Sequence, residues 1–544
     1  MIVAKKLYNE SSLNMKRVLL IFGNSRAGLA IARSIAEMGG IVHHVRSTKN
    51  RTEIDHSNSI TKSVYLGNVF ADFNGVFCSL LEILEDFDIV VPVNDAAYEL
   101  SFRLKQFAQR HQFSELPEEK SYRLVSDKFL IHTVFSDLFA ASEVRLNNLY
   151  LKNDTKSWLD SDFPVYSKPR VSTSIIGRCV RSFGVKRIKN KIELARHVRD
   201  SWPIQCLYEP VINGQSIGIN VVALNGKILG IACTKRLHQP KNGGGSSYRI
   251  SEKVSDRYSN IASEIIKRVR WTGYMMIECI VTDNDIFLIE INPRPWGSLP
   301  LTIFSGVDMP KIFYGNVSST TAISVAMPDY RARNFVKDLK WLKDNPLSVF
   351  SWLYSLNYIF RGKERFDVER LNDIVPTFAQ LQRPFDNLGN RLKNKFLYSA
   401  SDDNFDPSKP VIFVCKGNIN RSIVSEMLVV NKWNLPGDSC GFICKPGRKM
   451  SQNAEHFLAT YGVDGSSHQS KFIGDDLIDS RQVVVFERAH IRSVKNSLPN
   501  KKVFLLSRIA KNQTFDIRDP EFMSSIDSIS IFEEINDCLR AIYG

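Results

Sequence analysis

A multidomain α/β protein is predicted by three stretches of the 544-residue sequence. RVLLIFGNSRAGLAIARSIAEMGGIVHHVRST at 17–48 reads as strand, tight turn, helix and strand, the opening of a unit built on a parallel sheet. GYMMIECIVTDNDIFLIEINPRPWGSLPL at 273–301 reads as two apolar strands joined by the turn-forming TDND. VIFVCKGNINRS at 411–422 is a hydrophobic strand that empties into a short loop ahead of a helical run, SIVSEMLVV. A chain of this length holds roughly three to four folding units, and 43% hydrophobic residues suffice for their cores.

Each element carries its own signal. Gly23 and Gly28 do not make a GxGxxG fingerprint, so the first turn does not announce a dinucleotide site. DIVVPVND at 88–95 adds a buried strand that ends in polar residues. Lys128 in SDKF, and Lys168 ahead of the small-residue loop in FPVYSKPRVSTS, are suitable point charges for nucleotide phosphates. CLYEPVING at 206–214 is a strand whose backbone near Glu209 to Val211 suits an adenine edge. A hairpin and Gly-rich loop follow, bearing Lys235, Arg236 and His238. On the paired strands at 273–301, Glu290 and Asn292 are two apart and share a face, and Glu278 can lie opposite them across the hairpin. Three hard oxygen donors without Cys or His suit Mg²⁺ that bridges nucleotide phosphates. Residues 331–408 read as helical and mixed in charge, ending in the linker-like SASDDNFDPSKP.

The loop after Val411–Val414 is opened by Cys415 and closed by Arg421 and Ser422. A loop this short turns its N–H groups inward, and the following helix N-terminus adds positive potential, so a thiolate faces a phosphate cradle. Lys416, Gly417, Asn418, Ile419 and Asn420 form the cradle, with Gly417 and Asn418 expected to tolerate unusual backbone angles. Arg421 offers a planar fork for two phosphate oxygens. In FDIRDPEF, Asp519 ahead of Pro520 supplies a proton donor, and Phe522 is placed to flank the phosphorylated group.

Composition excludes several classes. Nine scattered cysteines with no CxxC pair fit a reducing, cytoplasmic setting rather than a disulfide framework or structural zinc. The first residues lack a signal-peptide core, and no segment offers about 18 uninterrupted apolar residues. PLSVFSWLYSLNYIF at 346–360 comes nearest and reads as a buried or docking helix. The net charge of +15 is spread along the chain without a nucleic-acid motif, so anionic small substrates, or proximity to an acidic membrane face, explain it better than DNA or RNA.

Taken in order, Cys415, Asn418, Arg421, Ser422, SCGF, VDGSSHQSKFI, QVVVFE and Asp519-Pro520 resemble the low-molecular-weight protein tyrosine phosphatase family over roughly residues 409–544. The resemblance implies a doubly wound parallel sheet with Cys415 as nucleophile, Arg421 as phosphate clamp, Ser422 as thiolate stabiliser and Asp519 as general acid. Ile423 replaces the family's usual proline, and Phe486-Glu487 stands where Met-Asp is common. Relatives that prefer phosphoarginine tend to carry threonine at the position of Ile419, so the resemblance leans toward phosphotyrosine or a small aryl or alkyl phosphate.

Upstream, the succession of Lys128, Lys168, Glu209 to Val211, the KRL and glycine-rich segment and EINPRPWGSLPL resembles the ATP-grasp superfamily, in its carbamoyl-phosphate-synthase-like carboxylate–amine ligase branch. It implies an α/β domain ahead of the grasp at 1–120, a two-lobed ATP-grasp fold at 121–330, and a helical extension and linker at 331–408 before the phosphatase domain. It also implies ATP on Lys128, Lys168, Glu209, Val211 and Lys235, two Mg²⁺ on Glu278, Glu290 and Asn292, Arg294 near the transferring phosphoryl group, and Arg236 and His238 on an acidic substrate. The phosphate loop departs from the family, having Ser172, Thr173, Ser174 and only Gly177 where glycines are usual, and Gln215 stands where many members carry glutamate near the ribose.

The expectation is a bifunctional enzyme: an ADP-forming ligase joining a small carboxylate to an amine, fused to a phosphatase for a phosphorylated small molecule or a phosphotyrosine protein. Two alternatives stay open, a regulatory phosphatase with a nucleotide-sensing grasp domain and a small-molecule kinase and phosphatase pair. Homo-oligomerisation is not decided by the sequence.

Overall fold

The computed structural model describes residues 15–544 apart from 71, 108–112, 114–115, 147–157, 177–178, 183, 202–204, 240–244, 316–322, 382–404, 443, 445, 475–480, 498–500, 512–515 and 522–524. The chain divides into two compact units, Met1–Phe385 and Asp386–Gly544.

The first unit opens on a parallel sheet in which Arg17–Ile21 lies between Ile41–Arg46 and Ile89–Pro92, with Lys62–Tyr65 beyond. The helix Arg26–Glu37 starts where the Ser25 side chain accepts the Gly28 N–H. A Cβ on Gly28 would stand 2.1 Å from the Gly23 carbonyl oxygen, so this glycine lets the helix close on the turn that leaves the first strand. An antiparallel sheet follows, ordered Arg145–Leu146, Cys206–Pro210, Val165–Pro169 and Lys186–Ile188, over its own core around Trp158, Ile188 and Tyr208.

The largest sheet runs in the order Ile286–Asn292, Gly273–Val281, Gln215–Leu224, Lys227–His238, Tyr248–Glu252, Arg331–Arg333 and Glu364–Phe366. Side-chain alternation divides its two faces. Ile217, Ile219, Cys233, Ile277 and Cys279 share an apolar core with Ile261 and Ile265 of the helix Asp256–Arg268. Gly218, Thr234, Glu278 and Glu290 are register partners on the opposite face.

The stretch after residue 330 departs from the expected helical extension. Helices Phe335–Asp344 and Val349–Ser355 are present, but Arg331–Arg333 and Glu364–Phe366 are strands that widen the large sheet. Buried charge accounts for the difference. The Arg333 side chain is wholly buried and meets Asp338 at 2.6 Å and Glu364 at 2.7 Å, and Arg249 on the neighbouring strand pairs with Asp367. Removing one partner of such a pair costs about 3–5 kcal/mol, so the acids of this stretch bind it to the sheet. Within 346–360, Trp352 is buried and donates its indole N–H to Asp338 at 2.7 Å. Among the described residues, no helix is long and apolar enough to cross a membrane.

The second unit is a parallel sheet ordered Gly437–Gly441, Val411–Cys415, Gln482–Val485 and Val503–Leu505. Phe413 and Cys415 face a core with Leu428, Phe457 and Leu539 from helices Arg421–Trp433, Gln452–Ala459 and Ser525–Tyr543. Ile412 and Val414 face a second core with Ile491 and Val494 of the helix Arg488–Ser497. Helices on both faces make this the doubly wound arrangement anticipated from the sequence.

Candidate active sites

In the first unit, Glu278 and Glu290 stand opposite each other on adjacent strands, and Asn292 lies two residues on, so all three leave one face. A bulge just past this pair leaves Ile289 without a register partner, and its carbonyl accepts the Lys168 ammonium at 3.4 Å. Lys168 also pairs with the buried Glu209 carboxylate. Lys128 Nζ donates to Ser172 Oγ at 2.6 Å and lies 3.9 Å from a Glu290 oxygen. The Asn292 amide donates to Glu290 at 3.0 Å, while Arg294 donates to Asn292 at 3.3 Å and to Asp95 at 3.0 Å. Arg236 meets Glu278 at 2.5 Å.

Charge in this cluster is set by burial and by neighbours. Burial raises the Glu278 carboxyl above its usual range, with the Glu290 charge adding to the rise and Arg236 opposing it. Burial works against ionised Glu290 as well, but Lys128 and Lys168 outweigh it and hold that carboxyl below the usual range. The Lys128 ammonium is lowered, chiefly by burial. Burial also opposes charge on Arg294, and Asp95 reverses the effect. Two cavities meet at Asn292: one of about 410 Å³, lined by Asp95, Tyr122, Lys128, Ser172 and Thr173, and one of about 200 Å³, lined by Thr234, Arg236, Glu278, Glu290 and Arg294.

Two carboxylates and an amide on one face offer only hard oxygen donors, the chemistry that Mg²⁺ takes. Each carboxylate already faces a cation, Arg236 or Lys128, so the position suits positive charge. Among the described residues no group of three or more His, Cys, Asp or Glu is placed to hold a metal ion.

Several expected residues stand apart from this cluster. Lys235 pairs in register with Ile217 and leaves the face opposite to Glu278. His238 lies against Trp341 with ring centroids 3.6 Å apart and meets Asp338 at 2.8 Å, a packed structural position in place of the expected substrate contact. Glu209 turns its carboxylate to Lys168, with His132 Nε2 3.5 Å from its other oxygen. Arg145–Leu146 pairs only with Leu207 and Tyr208, so past Tyr208 that strand edge has no partner among the described residues, and half-buried Val211 follows on it. Gln215 donates to the Arg236 carbonyl at 3.3 Å. Gly177 of the phosphate loop lies outside the described residues. Asp95 and His132 were not singled out in the sequence. The polar end of DIVVPVND was the one signal for Asp95, which stands just past the strand end where Asn94 caps the next helix.

In the second unit, Cys415 ends the central strand, and its Sγ is 3.0 Å from Ser422 Oγ and accepts the Asn418 N–H at 3.3 Å. Asn418 alone of the two residues expected to need conformational freedom takes the left-handed backbone, with φ 52°, and Gly417 does not. The reason is visible in its contacts. The Asn418 side chain donates to Ser422 at 3.0 Å and Ser439 at 2.7 Å and accepts the Lys471 N–H at 2.7 Å, while its carbonyl meets His468 at 2.8 Å. The Ile419 carbonyl accepts the Ser451 N–H at 2.9 Å, and Asn420 pairs with the Ser451 hydroxyl. Lys416 is exposed, whereas Ile419 is buried.

Arg421 opens the helix with its side chain wholly buried. Its fork donates to Asp519 at 2.8 Å, Glu487 at 2.5 Å and the Ile517 carbonyl at 2.6 Å. Cys415, Arg421 and Asp519 therefore lie in one site although Asp519 is 98 residues from Arg421. Glu487, marked in the sequence only as a departure, sits on the clamp and 3.3 Å from His490. Burial, reinforced by the Arg421 charge, drives the His490 imidazole down to about 3. Phe522 lies outside the described residues.

Comparison with known proteins agrees with this division. Residues 204–338 match the family model described as ATP-grasp in the biosynthetic pathway with Ter operon. Residues 410–543 match that of the low molecular weight phosphotyrosine protein phosphatase. The chain is a multidomain α/β protein that joins an ATP-grasp region to a C-terminal domain of the low-molecular-weight phosphatase family. Among solved structures, the YwlE arginine phosphatase of Geobacillus stearothermophilus is 23% identical over 25% of this chain and 90% of its own, with TM-score 0.24. The L-amino acid ligase of Bacillus licheniformis is 14% identical over 56% of this chain and 74% of its own, with TM-score 0.44. N5-carboxyaminoimidazole synthetase of Staphylococcus aureus, complexed with ADP, is 15% identical over 59% of this chain and 83% of its own, with TM-score 0.45. No curated protein matches the chain.

Proposed function

We propose that the chain is a bifunctional enzyme, an ATP-dependent, ADP-forming carboxylate–amine ligase joined to a cysteine-dependent phosphomonoester or phosphotyrosine phosphatase. The observation that carries the ligase half is the register pair Glu278 and Glu290 with Asn292 on the same face, flanked by Lys128 and the bulge-bound Lys168. Glu278, Glu290 and Asn292 would hold Mg²⁺, which when bound neutralises phosphate oxygens of ATP. Lys128 and Lys168 add fixed positive charge beside those phosphates, and the strand edge past Tyr208, which has no partner among the described residues, suits adenine. Arg294, aligned by Asp95 and Asn292, is placed to meet the transferring phosphoryl group. In the reaction a substrate carboxylate oxygen attacks the γ-phosphorus and ADP leaves. The amine then attacks the acyl carbon of the resulting acyl phosphate and displaces phosphate, giving the amide. Eight of the nine cysteines are free thiols, which supports a reducing, cytoplasmic setting.

In the phosphatase half, Cys415 Sγ attacks phosphorus, with Ser422 and the Asn418 N–H supporting its negative charge. Asp519 gives a proton to the departing alcohol, and water then releases phosphate from sulfur. The Arg421 fork, now held by two carboxylates and a carbonyl, takes phosphate oxygens in their place.

Two assays test the reading. The Cys415→Ser protein, given Mg²⁺, ATP and pooled small carboxylates and amines, should release ADP and form a dehydrated adduct, and Glu290→Ala should not. ADP release that needs no carboxylate, or none above the Glu290→Ala blank, defeats the ligase half. Hydrolysis of p-nitrophenyl phosphate should fall about a thousandfold or more in Cys415→Ser, and its survival defeats the phosphatase half.

A further inference from the structure

The smaller cavity beside Glu278 has a second, basic wall made by Arg26, Arg249, Trp296 and Gly297. Arg26 opens the first helix and Arg249 lies on the strand Tyr248–Glu252, yet both pair with one carboxylate, Asp367, whose side chain is fully buried. Two guanidiniums on one carboxylate leave a positive charge in excess. A separate guanidinium, Arg236, is paired among the described residues with Glu278 alone, the carboxylate that the ligase reading gives to a metal ion.

Two N–H donors on the same wall are unused. Arg249 Nε and Trp296 Nε1 have no hydrogen-bond partner among the described residues, and both side chains are more than nine-tenths buried. Neither nitrogen is exposed to the cavity, so the charge of Arg26 and Arg249, rather than these N–H groups, is what the wall offers a ligand. A Cβ on Gly297 would lie 3.1 Å from Arg26 Nη2, so the bare glycine keeps this guanidinium open to the cavity. At about 200 Å³ the space is below the roughly 300–1,000 Å³ of drug-sized ligand sites and suits a small acid.

We propose that this cavity binds a small aliphatic acid with two anionic groups, one beside Arg236, Glu278 and Glu290 and the other held by Arg26 and Arg249. That the acid is the ligase's substrate, and that one of its anionic groups lies beside Arg236, rest on the reading above, in which a metal ion takes Glu278; the end held by Arg26 and Arg249 does not. Arg26 and Arg249 thereby take the role that the sequence assigned to His238.

The test is calorimetric titration of the full-length Cys415→Ser protein with Mg²⁺ and a non-hydrolysable ATP analogue. The titrants are dicarboxylates of three to six carbons and monocarboxylates of the same lengths. At least one dicarboxylate should bind tenfold or more tightly than its monocarboxylate. Arg26→Gln should weaken that dicarboxylate tenfold or more, with folding checked by circular dichroism. Gly297→Ala, which breaks no ion pair, should weaken it as well and keeps the test decisive if Arg26→Gln does not fold. No dicarboxylate preferred over its monocarboxylate, or unchanged affinity in the folded variants, overturns the proposal. Dicarboxylate binding without ADP release from ATP and amines would sink the ligase reading and spare the site. ADP release with monocarboxylates alone would do the reverse.

Discussion

Arg421 keeps a buried charge in the second unit because Asp519, Glu487 and the Ile517 carbonyl meet its fork. His490, buried against Glu487 and under the influence of that guanidinium, is held neutral with its folded value at about 3. An unfolded histidine titrates near 6.5, so between these values the unfolded chain binds more protons. Stability from this residue is therefore present above about pH 6.5 and is lost as pH falls toward 3, by up to about 1.4 kcal/mol per pH unit. His490→Gln should flatten that part of the acid profile, measured by hydrogen exchange of the sheet strands around Cys415, and an unchanged slope would contradict it. At this scale the cysteine loop was legible because Cys415, Arg421 and Ser422 lie within one short run, CKGNINRS. Asp95 and Glu487 were not, since each acquires its role from a residue far along the chain, Arg294 or Arg421.

Alternation along a strand was legible, which is why Glu290 and Asn292 were placed on one face from spacing alone, whereas Glu278 faces Glu290 only because the bulge at Ile289 shifts the register. It misled where function was assigned to neighbours in the row. Lys235 and Arg236 are adjacent and must leave opposite faces, and a register shift between Arg236 and His238 re-aims the histidine. Bulges arise from pairing with a partner strand, so the row of residues does not announce them. The first helix shows the converse, a local demand that its sequence does state. Gly28→Ala would set a methyl against the Gly23 backbone and should destabilise the first unit by about 1–3 kcal/mol, read from the shift in its denaturation midpoint. An unshifted midpoint would mean the helix moves away at no cost.

Each unit holds its own apolar cores, residues 18–368 supplying those of the first and 411–539 those of the second. The two activities are accordingly expected to fail separately. Glu290→Ala should leave p-nitrophenyl phosphate hydrolysis within about twofold of wild type, and Cys415→Ser should do the same for ADP release, on the scale where 1.4 kcal/mol is tenfold. A tenfold change in the opposite activity would show that the sites are coupled. The α/β class and the doubly wound second unit were legible from three short patterns. The extent of the large sheet was not, because its last strands, Arg331–Arg333 and Glu364–Phe366, are short and held by buried ion pairs rather than by an apolar run. Those strands also shield an edge. A chain ended after residue 330 would strip Tyr248–Glu252 of its neighbour and leave a row of open N–H and C=O groups, with Arg249 severed from Asp367. Such an edge is a template for strands of other molecules, so that fragment should precipitate or run as large aggregates in size-exclusion chromatography. A fragment ended after residue 385 carries its own edge cover and should elute as a discrete species.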